Sequence, residues 1–494
     1  MSRLSRFCTI SDALICVTAI LVLRLILTFV WNRRWLYYHG SKFPGPVAFP
    51  LIGNMYLLED VKKIHATICK YYDKYAPIGR FWIDTLYVCT SKAEYVEKVF
   101  TRCLDKGILY DIIADDYFKD TIIFAPLSVW KKQRKVMDHF FKPNVVNCFA
   151  SIFIREARRV TENLEVGKPV DLFLNMWNLG TNAACETIGG VHPKLLTGKK
   201  QSVRDVLRFE EIVLKRFFNP LYFFKYFWDR SSYKNEIREI CQRAHQFAEK
   251  MVDENESLKK ITQDGEKRLL SHLIHSNHEN QFSYELLLRI ASTLLPISSE
   301  TTAVGASSVL LMLGMHPEVQ EKVSEELHSV FGHTDRDATL EDLSQLDYLD
   351  RVIKESLRLF PPLPLIGREI NRNVALDPYV LPAGCRFVVL VQHIHRNPEY
   401  WSEPLKFDPD RFLPEETAKR NRFAYIPFSI GSRNCPGSRY AMLSMKATLA
   451  TVLRRYKIAK VMDYRSVEEI ELTFSFVGKA SKGYRVVLEK KCQS

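Results

Sequence analysis

No Cys-x-x-Cys pair occurs in the 494-residue chain, whose eleven cysteines, an odd number, scatter from Cys8 to Cys492. A structural zinc site of paired cysteines is therefore unsupported. A disulfide framework is too, since it would show closer, even-numbered spacing in a much shorter chain. Reduced thiols facing a cytosol-like compartment remain. The chain also lacks internal repeats, low-complexity tracts and a glycine-rich nucleotide-binding loop. Disorder is excluded, because 47% hydrophobic and 12% aromatic residues bury enough surface to offset ordering entropy. Acidic residues are the scarcer sign: 57 against 70 Lys and Arg leave a formal charge of +13. Such an excess suits nucleic acid, an anionic membrane surface or an acidic protein partner, and charge alone does not choose.

Ala13 to Trp31 form an apolar run just long enough to span a bilayer as a helix, interrupted by Arg24. At the bilayer centre that arginine would cost roughly 2.5 to 3.5 kcal/mol unless it snorkels. No small-residue cleavage site follows, so the run reads as a retained anchor, with a buried core helix as the alternative. Arg3 and Arg6 balance Arg33 and Arg34, leaving orientation to the reduced cysteines, which place the C-terminal bulk in the cytosol. The dense prolines of Phe43-Pro44-Gly45-Pro46-Val47-Ala48-Phe49-Pro50 favour a stiff extended spacer. The expected organisation is an anchor over 1–35, a basic, proline-rich linker over 36–50 and one catalytic domain over 51–494.

Within that domain, residues 78–90 read as a hairpin around Asp84-Thr85. Ser283 opens a long segment of helical period to Gly314, broken by Pro296. Pro317 opens a helix that stops near Gly332, and another runs from about Leu346 to Phe360 before Pro361-Pro362. Strand-like patches return at 386–391 and near the C-terminus. The fold class is mainly α with a smaller, distant β part.

The sharpest chemical signal is Phe428-Ser429-Ile430-Gly431-Ser432-Arg433-Asn434-Cys435-Pro436-Gly437, followed by helix formers. A thiol before a helix, near Arg433, is placed to favour the thiolate, as a nucleophile or a metal ligand. Gly431 and Gly437 permit tight turns that aim amides at the sulfur. The segment resembles the haem-ligand loop of the cytochromes P450, Phe-x-x-Gly-x-Arg-x-Cys-x-Gly, with all five fixed residues present. A chance match in a chain of this length is on the order of 10⁻⁴.

That resemblance extends along nearly the whole chain and is closest to the microsomal branch holding fatty-acid ω-hydroxylases and insect enzymes. It implies a triangular helical body around haem with a small β-rich lobe. Cys435 would be the axial iron ligand, with Phe428 in its loop. Trp130 and Arg134, four apart and able to share a helix face, would hold haem propionates with Arg433 and Arg368. The stretch before Trp130 is shorter than is usual in the family. Glu355 and Arg358 look like the family's Glu-x-x-Arg, and Phe407 to Phe412 like its Phe-x-Pro-x-x-Phe segment. With Arg411 they would form a buried structural ion network.

Pro296-Ile297-Ser298-Ser299-Glu300-Thr301-Thr302 aligns with the oxygen-binding segment. Splitting O₂ needs two protons in a dry pocket, and Glu300 beside Thr301 could relay them. Ser298 stands where the family has glycine, and Ile297 where it has a small or acidic residue. Ile297 therefore excludes the covalent haem link some relatives form. Phe217 to Trp228, dense in aromatics, reads either as core or as a lid dipping into lipid. Lys131, Lys132, Lys135, Arg433 and Arg439 could form a basic face. The family analogy is docking of the acidic NADPH–cytochrome P450 reductase, with cytochrome b5 a further donor. The reading is a haem monooxygenase on the cytosolic side of the endoplasmic reticulum membrane, acting on small apolar substrates and assigning nothing to nucleic acid. A haem-thiolate isomerase or dehydratase and a haem-sequestering protein are the competitors.

Overall fold

The computed structural model describes residues 2–49, 52–58, 63–107, 110, 112, 117–195, 199–259, 268–270, 273, 282–474 and 476–491. Helices dominate, and the strands gather into small sheets, as the sequence predicts. Residues 78–90 pair as Ile78–Trp82 with Leu86–Thr90, Trp82 opposite Leu86. Arg386–Leu390 joins this hairpin in parallel, and Leu365–Glu369 closes the edge. A parallel neighbour is reached only through a crossover. Here residues 91–385 make it, so distant chain segments meet at one sheet.

The centre of the body is the helix Tyr284–Met315, whose first turn is capped by Ser283 accepting from the Leu286 amide at 3.2 Å. It runs unbroken through Pro296, contrary to the expected break. Proline removes one helical hydrogen bond, but tertiary packing outweighs that loss. The helix Leu172–Thr187 crosses so closely at Gly180 that a Cβ there would lie 3.0 Å from the Ser299 Cα. Around the proline, hydroxyls bond back to carbonyls of the preceding turn: Ser298 and Ser299 to Leu295, Thr301 to Ile297 and Thr302 to Ser298. The helices Pro317–Phe331 and Asp347–Leu359 follow as predicted, the first stopped by Gly332 at φ +59°.

Among the described residues, two helices are long and apolar enough to cross a membrane. Tyr284–Met315 is mostly buried and serves as core, whereas the apolar stretch of Asp12–Asn32 has none of its residues buried. A core role for the N-terminal run is thereby ruled out. After it, the short helix Arg34–Gly40 lies against the sheet. Arg33 Nη1 donates to the Asp84 carbonyl at 2.7 Å, and Tyr37 stacks on Trp82 at 4.9 Å. The proline-rich stretch is not a free spacer. Phe43 is buried, and its carbonyl and that of Pro44 accept from Arg80 Nε and the Arg80 amide, both at 2.8 Å. Apolar Phe43 and the paired backbone account for this docking onto the first strand.

Candidate functional site

The cysteine loop is shaped by its glycine. Gly431 sits at φ +80°, where L-residues are strained, and a Cβ there would lie 2.8 Å from the Phe100 carbonyl oxygen. The turn returns the Cys435 amide to the Phe428 carbonyl at 2.9 Å. Gly437, at φ −84°, makes no left-handed turn; it caps the helix Ser438–Arg455. Cys435 keeps accessible surface. Desolvation by the surrounding body pushes its thiol up, while the Gly437 amide, Arg134 and Lys106 pull it down. The expected helix-start stabilisation of the thiolate is thus outweighed by burial, and a bound metal would be what displaces the proton.

Trp130 and Arg134 share the helix Leu127–Phe140. Arg134 grips the neighbour of the cysteine, Nη1 donating to the Asn434 carbonyl at 2.7 Å and Nη2 to its Oδ1 at 2.9 Å. Arg433, expected on a basic surface face, is instead buried, with its guanidinium 4.4 Å from the Trp130 ring. Carbonyls draw it in: Nε donates to Leu104 at 3.1 Å and Nη2 to Ala125 at 3.4 Å. Lys131, Lys132, Lys135 and Arg439 do remain exposed.

Arg368 is buried over the Phe100 ring at 4.1 Å. Among the described residues, its Nε and Nη2, and Nη1 of Arg433, are buried without hydrogen-bond partners. A third cation, Lys106, lies beside them, donating to the Ile123 carbonyl at 3.0 Å. Burial first, then Arg433 and Arg368, push its ammonium well below the usual lysine range. No motif marks Lys106 in the sequence; only the fold brings it here. Orphaned donors on crowded cations next to a cysteine fit a metal-bearing ligand with anionic arms.

Thr301 and Ile297, one turn apart on the central helix, are accessible, Ile297 at 37%, although the helix around them is buried. The Thr301 hydroxyl donates to the Ile297 carbonyl at 2.8 Å. Glu300, about 100° further round the helix, points elsewhere: it is buried and ion-paired with Lys479, which reaches Glu210 at 3.0 Å. Burial and Glu210 push the Glu300 carboxyl up to about 8 against the pull of Lys479. Sequence spacing could not foresee these partners, which arrive on distant elements.

Glu355 and Arg358 are fully buried and joined by two hydrogen bonds of 2.6 and 2.8 Å. Arg411 Nε lies 3.5 Å from Glu355, and the Asp408 amide donates to it at 2.9 Å. Arg358 also donates to the carbonyls of His395, Pro404 and Lys406. His395, pushed down to about 3 by burial and then Arg358, stays neutral and accepts from the Ile426 amide at 2.8 Å. The network thereby reaches the segment entering the cysteine loop.

Comparison with known proteins identifies the family. The family model described as Cytochrome P450 matches residues 43–487. Cytochrome P450 4V2 of Rattus norvegicus is 28% identical over 469 residues, covering 90% of this chain and 89% of that protein. Cytochrome P450 4c21 of Blattella germanica is 29% identical over 473 residues, covering 91% and 94%. Cytochrome P450 4V2 of Homo sapiens is 28% identical over 469 residues, covering 90% and 89%. With the match spanning the body from the docked proline segment to the last strand, the chain belongs to the cytochrome P450 family, monooxygenases whose haem iron is held by a cysteine thiolate.

Proposed function

We propose that the chain is a membrane-anchored monooxygenase that inserts one atom of O₂ into a small apolar substrate. NADPH supplies two electrons through an acidic flavoprotein reductase, and the second oxygen atom leaves as water with two protons. Cytochrome b5 is a further electron donor. The observation that carries this reading is the cysteine loop facing orphaned cations.

Cys435 is the iron ligand, and thiolate-ligated haem supplies the O–O cleavage chemistry. Arg368, Arg433 and Lys106 take the anionic arms, with Trp130 and Arg134 framing them and Phe428 closing the loop. Arg134 does so mainly by fixing Asn434. Thr301 would hold a water with its free lone pairs, and Glu300, turned toward Lys479 at rest, is the proton source once it leaves that pair. Glu355, Arg358 and Arg411 keep the loop's support rigid.

Leu221, Phe224, Tyr226 and Phe227 expose 56%, 63%, 61% and 48% of their surface, while Phe217 and Trp228 are core. An exposed apolar tip suits uptake of substrate from lipid. The exposed Lys131, Lys132, Lys135 and Arg439 offer the reductase an acidic-partner face. The bilayer assigned is the endoplasmic reticulum membrane, with the body on the cytosolic side.

The test is the absorption spectrum of the reduced, haem-loaded protein with carbon monoxide. Wild type is expected to give the strongly red-shifted Soret band of thiolate ligation, and Cys435→Ser to lose it. A folded, haem-loaded wild type without that band would overturn the assignment.

A further inference from the structure

One buried ammonium joins three elements that otherwise serve different tasks. Lys479 stands on the short hairpin strand Gly478–Ala480, Glu210 on the helix Lys199–Phe217 that leads into the exposed aromatic tip, and Glu300 on the central helix. Lys479 Nζ lies 3.0 Å from Glu210 and is ion-paired with Glu300, and both carboxylates are 3% exposed. The hairpin is itself fixed, its Gly478 amide donating to the Pro362 carbonyl at 2.9 Å.

We propose that Lys479 is a positioning residue that clasps Glu300 to the tip-bearing helix through Glu210, so that movement of that helix alters the charge and orientation of the proton-supplying carboxyl. The proposal rests on Glu300 being the proton source. Held by Lys479, Glu300 points away from Thr301. Withdrawal of Glu210 with its helix leaves Lys479 to neutralise Glu300 alone, which favours carboxylate over acid, and the proton the carboxyl gives up passes through water toward Thr301. Substrate passage beneath the tip and proton supply at the centre then become one event.

Among the described residues, few groups face Glu300. Helix Leu172–Thr187 presents the Phe173 and Trp177 rings, 5.7 and 5.9 Å from the Lys479 ammonium. The helix Ser232–Lys259 meets the central helix two turns earlier, at Ser292, and its His245 feels Arg289 and Glu285 there. Glu210 and Lys479 are the charges that act on Glu300.

Two variants shift Glu300 in opposite directions. Lys479→Met removes the cation and raises the carboxyl; Glu210→Gln removes the competing anion and lowers it, each by about one pH unit or more. The titration is read on full-length, haem-loaded protein from the infrared carbonyl band of a protonated acid, identified by its loss in Glu300→Gln. A wild-type midpoint near 8 is expected, with Lys479→Arg close to it. Amide hydrogen exchange in residues 199–217 is expected to speed up in Lys479→Met and stay slow in Lys479→Arg.

Equal midpoints in all variants, or unchanged exchange in Lys479→Met, overturn the clasp. The relay reading is judged separately, by hydrogen peroxide released per NADPH consumed with reductase present. A Glu300→Gln yield equal to wild type would sink the relay, while titration and exchange still decide the clasp.

Discussion

Lys106, Arg368 and Arg433 repel one another, and burial pushes Arg433 down to about 10 and Lys106 well below its ordinary 10.5. A base whose folded value is depressed binds its proton less well in the folded chain. Its charge therefore destabilises the haem-free protein at neutral pH, and stability recovers as pH rises toward 10.5, the unfolded value. Lys106→Met is expected to raise the unfolding temperature of haem-free protein by about 1–3 °C. In the haem-loaded protein, where the charge gains an anionic partner, the same change should lower it. Paired thermal scans check both signs, and equal shifts in the two forms would refute the anion-binding role. Lys106 was not legible in the sequence because a lone lysine carries no spacing. Cys435 was legible because its glycine, arginine and capping residues are all local.

At the scale of elements, the Glu355–Arg358 pair has no water to screen it. Removing one partner leaves a buried charge, and Arg358→Met or Glu355→Gln should each cost about 3–5 kcal/mol. The double variant should cost clearly less than the sum, since neither member of the pair is left as an unpaired charge. Urea denaturation of the four haem-loaded proteins closes this cycle, and additivity would argue against direct coupling. The i, i+3 spacing of the pair could be read from one helix, and so could the caps at Ser283 and Gly332. Pro296 could not, because a proline's effect on a helix depends on what packs against it, here Gly180 of another chain segment. Glu300 likewise took its partners from a hairpin and a helix that periodicity does not connect. Arg433 was misplaced on the surface for a related reason: local charge suggests exposure, but the carbonyls that draw it inward lie about 300 residues earlier.

The molecule as a whole divides into an exposed apolar helix and a body that folds around Tyr284–Met315. Deleting residues 2–32 should leave the carbon monoxide spectrum unchanged. Full-length protein should remain with vesicles through an alkaline carbonate wash, and the shortened chain should leave with the wash. Persistence of the shortened chain on vesicles would assign anchoring to the body instead. The junction between the two parts is held by Arg33 on the Asp84 carbonyl, Tyr37 stacked on Trp82, and Phe43 and Pro44 bonded to Arg80. On the proposed anchoring, a joint held at these points would carry the body around the membrane normal with its anchor rather than let it tumble, keeping one hemisphere toward the lipid. Encounter with an electron donor in the same bilayer would then be a search in a plane with a single angle to match, where a tethered but freely hinged body would have three.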